Sequence, residues 1–94
     1  MAKRLTVEFV VNEGMGADFE AVALPVTERV RAEDEGCLQY HLFQSLEDES
    51  RYVLIEAWES AEALDAHSQS PATADFTKLG PLLAAKPVLH RYED

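Results

Sequence analysis

The run Tyr52-Val53-Leu54-Ile55-Glu56-Ala57-Trp58 constrains the fold more than any other stretch. Its β-branched and aromatic side chains suit a pleated surface, so it reads as a central strand. Side chains two apart on a strand share a face, which sets Leu54, Glu56 and Trp58 on one side and Val53, Ile55 and Ala57 on the other. One face of the strand therefore holds a carboxylate beside an indole.

The rest of the chain supplies partners for that strand. Leu5, Val7, Phe9 and Val11 alternate with Thr6, Glu8 and Val10 and end at Asn12-Glu13-Gly14, which gives a first strand. From Ala17 to about Ala32, Phe19, Val22, Ala23, Val26 and Val30 recur at three- and four-residue steps, the pattern of an amphipathic helix. Pro25 falls inside it and is expected to kink it rather than break it. After the turn Glu33-Asp34-Glu35-Gly36, Cys37 to Ser45 reads as a second strand. A hairpin loop, Glu47-Asp48-Glu49-Ser50, joins it to the Tyr52–Trp58 strand. Ser60, with Glu62 in the first turn, marks a helix start, and that helix is expected to run to about His67. Ser70-Pro71 opens a second helical segment through Phe76, Leu79, Leu82 and Leu83, interrupted at Gly80-Pro81. Pro87 to Tyr92 makes a last strand.

The order β-α-β-β-α-β has no linker long enough to divide it, which predicts one α+β domain over residues 1–94 of the ferredoxin-like type. Both helical segments then cover one face of the sheet and leave the other bare. A chain this short buries only about two-thirds of its unfolded surface. A second copy is the expected cover for the bare face, and a homodimer the expected state.

A formal net charge of -10 sets a field that repels phosphate backbones and anionic lipid headgroups, and the eight Lys and Arg form no basic run. Nucleic acid and membrane surfaces are therefore not expected partners. Cys37 is the single cysteine, so no internal disulfide is available. The opening Met-Ala-Lys-Arg-Leu-Thr leads into an apolar stretch broken by Glu8, neither a signal peptide nor a membrane span, and a cytoplasmic location is expected. Three widely spaced histidines give no metal-ligand spacing. Gly14 and Gly16 lack the third glycine of a phosphate loop and read as a turn.

The residues able to carry chemistry are few. A Glu within an apolar central strand is costly to bury unless paired, and burial raises its pKa toward a range useful for proton transfer, which makes Glu56 a candidate acid or base. Read structurally, it is a Glu at a wet sheet end or in an ion pair. Trp58 is either a core anchor or a pocket wall on which a flat ligand stacks, with Leu54 on the same face. Tyr40 and His41 lie on opposite faces of the second strand, so only one can share that pocket. His67 follows Ala63 and Leu64 at helical spacing and so sits on or beside the inward face of its helix, as a structural hydrogen-bonder or a base. Cys37, next to Gly36, reads as a small buried hydrophobe.

Three pieces taken together resemble a known family. Glu35-Gly36-Cys37-Leu38-Gln39-Tyr40, then Ile55-Glu56-Ala57-Trp58-Glu59-Ser60, then Ala63-Leu64-Asp65-Ala66-His67 followed by Ser70-Pro71 are similar to the antibiotic biosynthesis monooxygenase domain, most of all to the small bacterial quinol monooxygenases. The resemblance spans nearly the whole chain. It implies a dimeric α+β barrel of two sheets packed face to face, with a cavity between each sheet and its helices. It also implies oxidation of quinol- or anthrone-like aromatics by molecular oxygen with no cofactor and no metal. On that reading Glu56 or His67 takes a phenolic proton, Trp58 stacks on the ring, Tyr40 or His41 bonds a ring oxygen, and Leu54 and Leu64 line the site. Haem-degrading relatives carry an Asn on the first strand with a Trp and a His on the second helical segment where this chain offers, by position, Val7, His67 and Thr77, which disfavours haem as a substrate.

Two other functions compete. Similar domains isomerise small phosphorylated diones; that would require a basic phosphate site, for which Arg29, Arg31, Arg51, Lys78 and Lys86 are available. The third reading is a non-enzymatic dimer that binds a small ligand.

Overall fold

The structure, a computed structural model, describes residues 2–93. The elements follow in the expected order: β1 (Lys3–Val10), α1 (Gly16–Glu33), β2 (Cys37–Gln44), β3 (Arg51–Trp58), α2 (Ala61–Ser68), a 3-10 segment (Pro71–Leu82) and β4 (Val88–Glu93). The described residues form a four-stranded antiparallel sheet in the order β2-β3-β1-β4. This is the ferredoxin-like α+β arrangement, with the Tyr52–Trp58 run in a central strand as its composition requires.

One sheet face carries Leu5, Phe9, Tyr40, Tyr52, Leu54 and Trp58, all buried beneath the helical segments. Phe19 of α1 plugs into this face, its ring 5.3 Å from Phe9 and 4.7 Å from Tyr52, and Ala23, Val26 and Val30 continue the buried stripe. The helix runs through Pro25 without a break. Pro25 is exposed, as is Ala21, whose carbonyl loses its donor there, so water can satisfy the gap.

Ser60 caps α2 as its position predicts, its Oγ accepting from the Ala63 N–H at 3.1 Å. Gly36 sits at φ +83°, where a side chain is strained, and a Cβ there would approach that of Ala63 to 2.6 Å. The start of β2 thus runs hard against α2, which fixes where His67 comes to lie.

The segment after Ser70 departs from expectation. It is 3-10 throughout, and it continues past Gly80-Pro81 to Leu82 instead of being interrupted there. Side-chain hydroxyls take up carbonyls along it, Thr73 Oγ1 bonding the Ser70 carbonyl at 2.9 Å and Thr77 Oγ1 that of Ala74 at 3.0 Å. Such local bonds compete with α-helical pairing and favour the tighter turn.

Candidate active site

Register sets the site. Tyr40 on β2, Glu56 on β3, Leu5 on β1 and Arg91 on β4 stand side by side in one row on the covered face, with Leu42, Leu54, Val7 and Leu89 in the next. Between these rows and the helical segments lies a cavity of about 600 Å³. Val7, Phe9, Leu54, Leu64, Phe76 and Leu79 give it apolar walls, while Tyr40, Glu56 and His67 make one end polar.

A chain of hydrogen bonds builds that end. Ser70 Oγ donates to Asp34 Oδ1 at 2.6 Å, and His67 Nδ1 lies 2.7 Å from Asp34 Oδ2. A carboxylate only accepts, so Nδ1 carries a proton, and in the neutral ring it is Nε2 that holds the lone pair. Nε2 is 3.8 Å from Glu56 Oε1, which in turn accepts from the Trp58 indole N–H at 3.0 Å. The side chains of His67 and Asp34 are each 9 % exposed, so the imidazole has one orientation available. Asp34, His67 and Glu56 form a chain, not a common coordination point, and among the described residues no three such side chains are grouped to hold a metal ion.

Burial pushes the Glu56 carboxyl above its ordinary value of 4.5, against the opposing pull of the Trp58 N–H, His67 and Arg91. Folded Glu56 therefore keeps its proton over a range in which the unfolded chain has released it. Its contribution to stability accordingly falls as pH rises from 4.5 through the folded value. Glu56→Gln retains the acceptor for Trp58 and cannot ionise. The variant is expected to gain on the wild type as pH rises from 4.5 to neutrality and to show no gain below 4.5, read by urea denaturation at each pH. A gain independent of pH would mean that Glu56 does not titrate in that window.

Tyr40 is 1 % exposed, and its hydroxyl has no hydrogen-bond partner among the described residues. No fully buried polar side-chain atom among them lacks a partner, so the small exposed part of Tyr40 includes its hydroxyl, open to the cavity. Burial, with Glu56, Asp34 and Cys37 nearby, holds the phenol protonated well above its usual range. Tyr40 is thus a donor waiting for an acceptor. Arg31 Nη1 anchors its backbone carbonyl at 2.8 Å.

Five of the residues singled out in the sequence meet at this cavity: Tyr40, Leu54, Glu56, Leu64 and His67. Two do not. His41 is exposed on the opposite face of the sheet, because strand alternation that turns Tyr40 inward turns His41 outward. Trp58 has 0 % exposure and lies behind the cavity, its ring 4.3 Å from that of His67. The face on which a ligand would stack is taken by the imidazole, so Trp58 is the core anchor of its two readings. Cys37 is half-buried against the core, and burial pushes its thiol up. None of Arg29, Arg31, Arg51, Lys78 and Lys86 lines the cavity; the basic residue among its described lining is Arg91, which was not among those foreseen.

Sequence reasoning missed Asp34, Ser70 and Arg91. Asp34 carried a signal: a carboxylate just past the C-terminus of a helix opposes the helix dipole and calls for a partner elsewhere. Arg91 carried one too, since the alternation that turns Leu89 inward also turns Arg91 inward.

Comparison with known proteins shows the family and the fold. The chain is 30% identical over 71 residues to YcnE of Bacillus subtilis strain 168, a protein provisionally named a monooxygenase, covering 76% of this chain and 74% of that one. A crystal structure from Caulobacter crescentus CB15, described under antibiotic biosynthesis monooxygenases, superposes with a TM-score of 0.92 at 29% identity, over 99% of this chain and 89% of that chain. A protein from Nitrosomonas europaea shares the fold at a TM-score of 0.92 and 18% identity, over 99% of this chain and 89% of its own. Residues 4–79 match the family described as antibiotic biosynthesis monooxygenase, and the chain belongs to that family.

Proposed function

We propose that this protein is a cofactor-independent monooxygenase that oxidises a flat, quinol- or anthrone-like aromatic with molecular oxygen, working as a homodimer. The family supports a monooxygenase-type activity. The observation that carries the finer reading is the pairing of an apolar, ring-sized cavity with a buried Asp34–His67 couple at its polar end, next to a free Tyr40 hydroxyl.

The chemistry asks little of the protein. His67 Nε2 takes the acidic proton of the bound aromatic, and Tyr40 donates a hydrogen bond to the oxygen on which negative charge collects. The resulting anion passes one electron to oxygen, and the radical pair joins through a new carbon–oxygen bond to give a peroxide. Loss of the remaining proton from that carbon, with its C–H electron pair forming the carbonyl as the O–O bond breaks, leaves one oxygen on carbon and releases the other as water, all electrons coming from the substrate. Glu56, whose carboxyl burial pushes above its ordinary value, lines the cavity where it can return a proton as water leaves. Oxygen uptake with menadiol or an anthrone, measured against autoxidation, tests the reading. Uptake no faster than autoxidation, with the aromatic still bound, would leave a ligand-binding protein.

The dimer reading rests on the uncovered face. There Phe43, Val53, Ile55 and Val88 stand among polar neighbours, with Phe43 46% exposed, Val88 51% and Tyr92 53%. A face of this kind is costly in water, and a second sheet would cover it. Ile55→Lys, at the middle of the face, is expected to turn a dimer into a monomer in sedimentation equilibrium. An unchanged mass would place any interface elsewhere.

A further inference from the structure

We propose that the aromatic taken by this cavity carries a carboxylate on the edge remote from the ring oxygen that meets Tyr40, and that Arg91 holds it. The inference rests on the reading of the cavity as an aromatic site, and it adds the class of substituent.

Arg91 is the only Lys or Arg among the described residues that line the cavity, and its guanidinium forms no hydrogen bond or ion pair with any of them. Its placement runs against the usual pattern for an edge strand. β4 turns Val88 and Tyr92 outward, while Leu89 and Arg91, themselves exposed, are turned toward the cavity beside Val7 and Leu5. A solvated arginine with no ligand to meet would ordinarily take one of the outward positions. In a chain of net charge -10, a lone cation facing an apolar cavity marks the one place where an anion is welcome. The α2 rim carries Asp65, which turns an anion away from that side.

Register gives the spacing. Arg91, Leu5 and Glu56 are neighbours on successive strands, and Tyr40 follows on the next. Strands lie about 4.8 Å apart, so the Arg91 backbone is about 10 Å from that of Glu56 and about 14 Å from that of Tyr40. Once side chains reach inward from both ends, the gap matches a fused two-ring aromatic with oxygen at one end and carboxylate at the other. A single planar guanidinium fits a carboxylate through two parallel N–H donors.

The test compares 6-hydroxy-2-naphthoate with 2-naphthol, two stable ligands that differ only in the remote carboxylate, by titration calorimetry on the full chain. The wild type is expected to bind the carboxylate roughly tenfold to a hundredfold more tightly, the range for a charge-assisted hydrogen-bond pair. Arg91→Gln is expected to abolish the preference while leaving 2-naphthol affinity unchanged, which also shows that the variant is folded; Arg91→Lys keeps part of it. Equal affinity for the two ligands, a preference that survives in Arg91→Gln, or no binding of either would overturn the proposal. Because no turnover is involved, failure of the oxygen-uptake test leaves this result readable, and the reverse holds as well.

Discussion

His67→Asn is expected to lower the rate of aromatic oxidation by about 10²- to 10⁴-fold, the usual contribution of a positioned general base. Asn keeps a polar group near Nδ1, within reach of Asp34, and removes the basic nitrogen that faces the cavity. Ligand affinity should hardly change, because the apolar walls do the binding. The measurement is kcat under saturating substrate from oxygen consumption, with the autoxidation rate subtracted. A variant within a few-fold of the wild type would move the base elsewhere, with Glu56 next in line. Asp34→Asn tests the support behind the base: Asp34 does not itself line the cavity and reaches it only through His67, so a positioning role predicts a smaller fall in kcat with KM unchanged. A rise in KM alone would mark a merely structural contact.

Trp58→Ala is expected to cost about 3–5 kcal/mol of folding free energy, the range for truncating a buried Trp to Ala. That is a large share of the total stability of a domain of this size. The side chain is fully enclosed, packed on His67 at 4.3 Å and edge-on to Tyr40 at 6.1 Å, and its N–H is the donor that holds Glu56 Oε1. Removing it opens a void and leaves a buried carboxyl without its partner. Trp58→Phe separates the two effects, since it retains most of the packing and loses only the donor. Urea denaturation of the three proteins checks this. A loss below 1 kcal/mol for the Ala variant would mean that the site collapses around the gap.

Period alone carried most of the fold. The twofold alternation of Leu5 to Val11 and of Tyr52 to Trp58, and the helical spacing from Phe19 to Val30, each describe a surface with one buried side, and the sheet order follows once those sides must meet. The pairing of Glu56 and Trp58 on one face was legible for the same reason. Which of them would face a ligand was not: that depends on depth along the strand, and Trp58 lies two residues further on, where His67 closes over it. Tyr40 could be separated from His41 only once the pairing register was known. Asp34 was hidden because its partner, His67, lies 33 residues away, and contacts of that range leave no periodic trace. The 3-10 form of the last helical segment depended on hydroxyl-to-carbonyl bonds from Thr73 and Thr77, which composition suggests only weakly.

The row Tyr40–Glu56–Leu5–Arg91 runs from one edge strand of the sheet to the other. Its reactive end is wired into α1, α2 and the turn before the 3-10 segment through Asp34, so few substitutions there are tolerable. Its other end stands on β4, which is paired along only one side. Two jobs are thus housed in parts of the fold with unequal freedom to vary. On the proposed function, a lineage could exchange residues at positions 89 and 91, and with them the substrates admitted, while the residues proposed for the oxidation stay as they are. For redesign, β4 is where a library of specificities belongs.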